Sequence, residues 1–488
     1  MFKLEKEQLD QLKQYIHESE DEIKAALETI INGGWEAAKP ILSQRSVQRG
    51  LILLLSQIFY DEFHYPQPQV GRYDVANNNF EKLKWVYRYW LNQLEVAEKG
   101  SDIAEYFRQQ ELTFSLPEGF KETNRMKLSS GGDLLAVDVL TPENIPDLFT
   151  DVKDFYFSAD LICANLETTI DKNQPFGRNQ GTGEAARMNT SEEVFQIFYD
   201  QGKGINFYST ANNHSYDYGK EGLQETLNVL DKYRVYHAGT NRTEEERNAP
   251  LVIEKNGIKV AMLSYTMDLN GHEPAPEDAF RVNEVRFNDE VCDFTFVRQQ
   301  VARVKEMGAD IIIACCHWGW EFELYPHKNV IEAGHELLEM GIDVILGNHP
   351  HVAQPMERYT YQRDGVERSG LISYSCGDFV AYHPESRDSR ISYIIKFDIV
   401  KGKLHDEDAT FITDLKMLPV YMLNEQIEGE KFNCRMLKFS HVLADTGENG
   451  TYTYGLTALE REQLPHVNEV VLHKILLPEN HEGLLVEE

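Results

Sequence analysis

Along the first 115 residues, apolar side chains recur at three-, four- and seven-residue steps. Leu9, Leu12, Ile16, Ile23, Leu27 and Ile30 form one such stripe, and Gly33-Gly34 stops it. The same logic predicts helices over residues 46–60 and 80–97, the second carrying Trp85, Tyr89 and Trp90. Large aromatics at helical spacing are core residues before they are ligand platforms. This region carries no catalytic constellation and reads as a helical accessory domain, residues 1–124, with a possible protein partner as its role.

Residues 116–124 contain Pro117 and Gly119 without periodicity, which marks a boundary. Beyond it the texture changes. Short β-branched or apolar runs at 160–166, 205–210, 259–265, 310–316, 343–346, 371–375 and 393–400 read as strands. Helical patterns at 191–201, 219–233, 293–307 and 330–340 alternate with them. Such alternation predicts an α/β layered domain over residues 125–400. From Lys401 the pattern weakens into mixed strand and loop, read as a C-terminal extension, residues 401–488, packing on that domain.

Polar residues fall where a buried strand has no packing reason to carry them. Gly131-Gly132-Asp133, Asn165-Leu166-Glu167, Asn212-Asn213-His214 with Asp217, His317-Trp318-Gly319 and Asn348-His349-Pro350-His351 each follow an apolar run. Alone, each has a bland reading: Gly-Gly-Asp is a turn, Asn-Asn-His an Asx-turn or helix cap, a strand-end Glu or His a solvated residue. Together they point to one crevice at the carboxyl ends of the strands. Asp, Glu, Asn and neutral His suit one or two divalent ions such as Mn²⁺, Fe²⁺ or Zn²⁺. An extended His349-Pro350-His351 would turn both imidazoles to one side. Arg178, Arg187 and Arg387 lie in nearby loops; each is a solvated arginine or an anion clamp.

The charge balance narrows the partners. Against 48 basic residues stand 80 acidic ones, a net charge of −32. That argues against nucleic acid and anionic membrane surfaces and leaves a small anionic or peptide-like substrate. The residues after Met1 hold no apolar run of signal-peptide length, no stretch is long enough for a membrane span, and the six cysteines show no CxxC spacing. These features lead to the expectation of a reducing, cytoplasmic setting.

The motif order resembles that of the CapA family, poly-γ-glutamate capsule synthesis proteins within the calcineurin-like metallophosphoesterase superfamily. The resemblance rests on Gly132-Asp133, Asn165-Leu166-Glu167, Ala211-Asn212-Asn213-His214 with Asp217-Tyr218-Gly219, His317-Trp318-Gly319, and Gly347-Asn348-His349-Pro350-His351-Val352 with Glu357. It extends to Tyr374-Ser375-Cys376-Gly377-Asp378-Phe379, where the family pattern is Tyr-Ser-Leu-Gly-Asn-Phe. It implies a four-layer α/β/β/α sandwich, here with an N-terminal helical extension. It also implies roles: Glu167 bridging two metals, with Asp133, Asn213, His317, His349 and His351 completing their shells. His214 would be the general acid. Its i, i+3 spacing to Asp217 predicts that Asp217 orients it, and Asn165, Asn212 and Arg187 are the candidates to face substrate. Asp133-Leu134-Leu135 lacks the histidine of the superfamily's Asp-x-His, which leaves one metal site a ligand short.

Three functions fit this reading. One is a metal-dependent hydrolase in which a metal-activated hydroxide attacks a phosphoester or amide and His214 protonates the leaving group. Another is an epimerase exchanging an α-proton between Asp133 and His349 or His351. The third is a non-catalytic accessory in poly-γ-glutamate or peptide assembly.

Overall fold

The computed structural model describes residues 45–74, 78–181, 185–363, 366–447 and 453–487. The amphipathic stripe expected over residues 9–30 lies outside the described residues. Each apolar run expected as a strand is one. In chain order the strands are β1 (Lys121–Leu134), β2 (Leu161–Leu166), β3 (Gly177–Asn179), β4 (Arg187–Asn189), β5 (Phe207–Ser209), β6 (Tyr236–Ala238), β7 (Leu251–Lys255) and β8 (Ile258–Thr266). There follow β9 (Ile311–His317), β10 (Val344–Asn348), β11 (Met356–Arg363), β12 (Val366–Ser373), β13 (Asp378–Val380), β14 (Ile391–Leu404), β15 (Glu407–Glu428) and β16 (Lys431–Lys438).

The strands build two large sheets. One runs β16-β15-β14-β1-β2-β5-β6 with β13 beside β1; the other runs β11-β12-β10-β9-β8-β7. β1, β2, β5 and β6 are mutually parallel, as are β8, β9, β10 and β12. Helices cross between them as parallel strands require: Glu192–Tyr199, capped by the Ser191 hydroxyl, precedes β5, and Gly219–Tyr233 links β5 to β6. Thr295–Glu306 and Lys328–Met340 do the same around β9.

Side-chain alternation along β2 shows how the layers stack. Leu161 and Cys163 join the core shared with Val260, Ile313 and Ile345 of the second sheet. Ile162, Ala164 and Leu166 face the other way, onto Phe195, Phe198, Leu223 and Leu227 of the outer helices. The result is an α/β/β/α sandwich. Each fully buried aliphatic side chain in it contributes about 1.5–3 kcal/mol. The parallel strands of both sheets end on one rim, and there the polar clusters meet.

The flanking segments are built into this body. The helix Asn79–Trp90 ends earlier than the expected residue 97. Beyond it Leu94 is buried and pairs as an isolated bridge: its N–H donates to the Phe322 carbonyl (2.9 Å) and its own carbonyl accepts from Leu324 (2.8 Å). Backbone groups committed to a neighbouring chain cannot continue a helix. Trp85 and Tyr89 pack on Phe322, ring centroids 5.8 and 5.1 Å away. At the other end, β15 and β16 widen the first sheet through β14. The wide-turned helix Val467–Leu476 buries Val471, Leu472 and Ile475 in the shared core. Among the described residues no helix is long and apolar enough to cross a membrane.

Candidate metal centre

Asp133 sits at the last-but-one position of β1, fully buried, where the backbone comes very close to the Cys376-Gly377 turn. A Cβ at Gly132 would lie 1.9 Å from the Gly377 carbonyl oxygen, so only glycine fits there. The Asp133 carboxylate accepts from Asn165 Nδ2 (2.8 Å) and from the His349 backbone N–H (3.1 Å). Burial pushes this carboxyl up to about 7.

Glu167, one residue past β2, is the centre of the cluster. Both of its carboxylate oxygens are buried and accept no hydrogen bond among the described residues. His317 Nε2, at the end of β9, lies 3.5 Å from Glu167 Oε1, and His351 Nε2 lies 3.7 Å from the same atom. Ligand atoms of Glu167, His317 and His349 lie within 4.8 Å of one another, as do those of Asp133, Glu167 and His351. Glu167 belongs to both groups. Asn213 Oδ1 approaches His317 Nε2 to 3.0 Å, and His349 Nδ1 approaches it to 3.2 Å.

The electrostatics fit a cation. Burial first, and the Asp133 carboxylate second, push Glu167 well above the ordinary carboxylate range. Burial and the neighbouring imidazoles drive His317 and His349 far below theirs, which keeps them neutral and able to ligate. A buried carboxyl with unspent lone pairs, beside the neutral imidazoles of His317 and His349, is expensive unless a positive ion joins it. At His351 burial is outweighed by Glu167 and Asp378, which hold that imidazole well above its usual range. The donor set therefore suits a divalent metal.

His214 and Asp217 lie beside this group. His214 Nδ1 is 2.7 Å from Asp217 Oδ2, which also accepts the Met188 N–H of β4 at 2.6 Å. An Nδ1–H donating to Asp217 leaves Nε2 to face a ligand. Asn165 and Asn212 are spent inside the site. Asn165 Nδ2 serves Asp133 and lies 3.2 Å from His317 Nδ1; Asn212 donates to the Leu166 carbonyl (2.7 Å) and accepts from the His214 N–H (3.1 Å). Arg187 flanks Met188 on β4 and is half-buried. Arg178 pairs with Asp138 (3.2 Å), and Arg387 with Asp388 (2.5 Å) and Glu95, so both are committed to the scaffold.

The His349-Pro350-His351 segment is not extended. His349 has φ 105° and His351 φ 55°, so the turn after β10 sends the two rings apart, centroids 6.0 Å from each other. His349 joins His317, while His351 reaches across Glu167 to Asp378. Non-glycine residues in this region cost about 1–3 kcal/mol each, a strain characteristic of functional sites.

Sequence reasoning missed a further pair. Asp378 Oδ1 lies 2.8 Å from His351 Nδ1 and Asp378 Oδ2 lies 2.5 Å from His383 Nδ1. Burial would raise Asp378, but His383 and His351 outweigh it and hold the carboxyl at about 2. Glu321 also escaped notice, 3.9 Å from His349 Nε2; its place four residues after His317 was the available signal. It accepts the Trp85 indole N–H, so the N-terminal helices reach the edge of the centre.

Two stacked mixed sheets with a carboxylate, amide and imidazole cluster on their shared strand-end rim define the metallophosphoesterase-like class. Within it the chain belongs to the family described as bacterial capsule synthesis protein PGA_cap, whose family model matches residues 120–383. The PGA biosynthesis protein CapA of Bacillus subtilis is 24% identical over 330 residues, covering 67% of this chain and 81% of that one. The capsule biosynthesis protein CapA of Bacillus anthracis is 22% identical over 278 residues, 54% of this chain and 62% of the relative. A probable polyglutamine synthesis accessory protein of Mycobacterium tuberculosis is 27% identical over 229 residues, 43% of this chain and 54% of the relative.

Proposed function

We propose that this chain is a metal-dependent hydrolase of a phosphoester or amide bond, working in capsule, poly-γ-glutamate or related peptide assembly. One observation carries the reading: the two unpartnered oxygens of buried Glu167, approached by His317 and His351 and grouped with His349 and Asp133. The setting in polymer assembly rests on the relatives' names.

In this reading Glu167, Asp133, Asn213, His317, His349 and His351 would hold the divalent ions, Glu167 being common to both groups of ligand atoms. Bound divalent ions supply Lewis acidity and a water-derived nucleophile. The chain's own residues do the rest. Asp217 fixes the His214 ring through Nδ1, so that Nε2 faces the leaving atom and delivers a proton to it. Asp268 and Asn270 hold the Asn213 amide: Asn270 donates its backbone N–H to Asp268 (3.1 Å) and accepts from Asn213 Nδ2 (3.2 Å), leaving Asn213 Oδ1 toward His317. A non-catalytic accessory role draws support from Leu51, Leu54 and Ile58, exposed at helical spacing on Arg45–Ile58.

The test pairs metal content with turnover. Wild-type protein should carry bound transition metal and release phosphate, or cleave an amide, on a broad substrate panel. Glu167→Gln should lose metal and activity together. His214→Ala should keep its metal and lose about 10²–10⁴ in kcat. Full metal loading with no turnover by the wild type on any substrate would sink hydrolysis and favour the accessory role.

A further inference from the structure

The second chemistry-bearing feature lies on the far side of the motif loop. A cavity of about 420 Å³ opens where β6, the edge of the first sheet, meets β7 and β8 of the second. Its back wall includes Gly239 and Ser264. A Cβ at Gly239 would lie 2.5 Å from the Ala211 nitrogen, so the cavity sits directly behind the loop carrying Asn212, Asn213 and His214. None of the metal-centre residues lines it.

Most of its polar walls are already satisfied. Asn241 Nδ2 donates to the Phe280 carbonyl (2.9 Å) and to Asn283 Oδ1 (3.1 Å). Gln300 accepts from the Tyr265 hydroxyl (2.7 Å) and donates to the Arg247 carbonyl (3.0 Å). Thr240 and Thr210 share a bond of 2.8 Å. The carboxylates at the mouth are spent as well: Arg242 lies 2.5 Å from Asp231 and 3.5 Å from Glu246, and His237 takes Asp231 at 3.2 Å.

Arg247 is different. Its guanidinium lies over the Phe296 ring at 3.9 Å, and among the described residues no hydrogen bond or ion pair reaches it, although the Glu244 carboxylate acts on it through space. Its Nε is buried and without a partner. A half-buried cation over an aromatic face, in the wall of a chamber of about 420 Å³, pays a desolvation cost that an anion would offset. Planar, forked N–H donors match carboxylate and phosphate oxygens. The volume falls within the usual range for small-molecule sites.

We propose that this cavity binds a small oxyanion-bearing molecule, a carboxylate or a phosphate, through Arg247. The probes are inorganic phosphate and glutarate, each titrated calorimetrically into the full chain, into Arg247→Met and into Glu167→Gln. At least one probe should bind the wild type and Glu167→Gln alike, and at least about tenfold more weakly to Arg247→Met. The probe that binds tells phosphate from carboxylate. A dicarbonyl label read by mass spectrometry gives a second measure in the unaltered protein: the bound probe should protect Arg247 from modification. Absence of binding by either probe up to about 10 mM, or equal binding by Arg247→Met with Arg247 unprotected, overturns the proposal. So does binding that disappears in Glu167→Gln, which would place the anion at the metal centre.

Discussion

An alanine methyl at Gly132 would meet the Gly377 carbonyl oxygen at 1.9 Å, and one at Gly347 would meet the Tyr374 carbonyl at 2.0 Å. Both atoms are backbone, so relief means moving β1, β10 or the turn that carries Asp378. Gly132→Ala should therefore cost about 1–3 kcal/mol or more, read as a lowered midpoint in chemical denaturation. It should also reduce metal content, because Asp133 moves with the strand; a variant of unchanged stability would show that the turn yields freely. Asp378 offers a cleaner probe of the centre. It holds His351 Nδ1 at 2.8 Å and thereby aims Nε2 at Glu167. Partners of this kind tune ligand basicity, and their loss costs about 10–100-fold in metal affinity. Asp378→Asn should show that loss in competition with a chelator, with the fold intact by circular dichroism. Undiminished affinity would leave Asp378 as packing alone. At this scale the sequence was uneven. Glu167, His214 and His317 were visible because each is a polar residue ending an apolar run. The divergence of His349 and His351 was invisible, since positive φ at a histidine leaves no trace in spacing. The pairing of Asp378 with His383 was invisible too, since a turn and strand β13, rather than periodicity, bring them to His351.

Elements were more legible than contacts. Short β-branched or apolar runs located seven of the sixteen strands among the described residues to within a few positions, and helices fell between them where crossover connections demand. What the pattern could not carry was pairing: β15 reads as irregular because its burial comes from a neighbouring strand, and residues 91–97 read as helix because Leu94 looks periodic until Phe322 and Leu324 claim its backbone. The same interface holds the N-terminal helices. Arg88 is 2.7 Å from Glu323, both nearly fully buried, with His327 2.6 Å away on the other side. Burial pushes the Glu323 carboxyl up, but Arg88 and His327 outweigh it and hold it below its ordinary range. A depressed carboxylate contributes stability that is complete above its unfolded value, about 4.3, and is lost as pH falls through the lower folded value. The helix Asn79–Trp90 should therefore stay protected in hydrogen exchange at neutral pH and loosen in strongly acidic solution. Glu323→Ala strands a buried guanidinium and should cost about 3–5 kcal/mol at neutral pH. Exchange in this helix that ignores both pH and the substitution would refute the clamp.

For the whole molecule, the family match and the folding unit do not coincide. The matched span ends at residue 383, yet β14, the next strand, pairs with β1 from Lys121↔Lys403 to Ser130↔Ile395. β14 in turn carries β15, which carries β16. A fragment of residues 120–383 would leave β1 as a long unpaired edge, with Leu128 and Met126 uncovered on the face that Ile399 and Phe397 help to bury. Unpaired edges of this kind aggregate. It would also lose Ile103 and Phe107 from one side of the core and Val471, Leu472 and Ile475 from another. At about 1.5–3 kcal/mol for each side chain, those five losses alone are comparable with the whole stability of an ordinary domain. The fragment should therefore be insoluble or unfolded by circular dichroism and should bind no metal. A chain cut after residue 444 keeps every strand of both sheets but not the helix Val467–Leu476. It should fold with a lowered melting temperature, and it should still assemble Glu167, His317 and His349. If the 120–383 fragment instead folded with the thermal stability of the full chain, the flanking segments would be additions to a self-sufficient core. The metal centre would then owe nothing to β14, nor to the helices at either end.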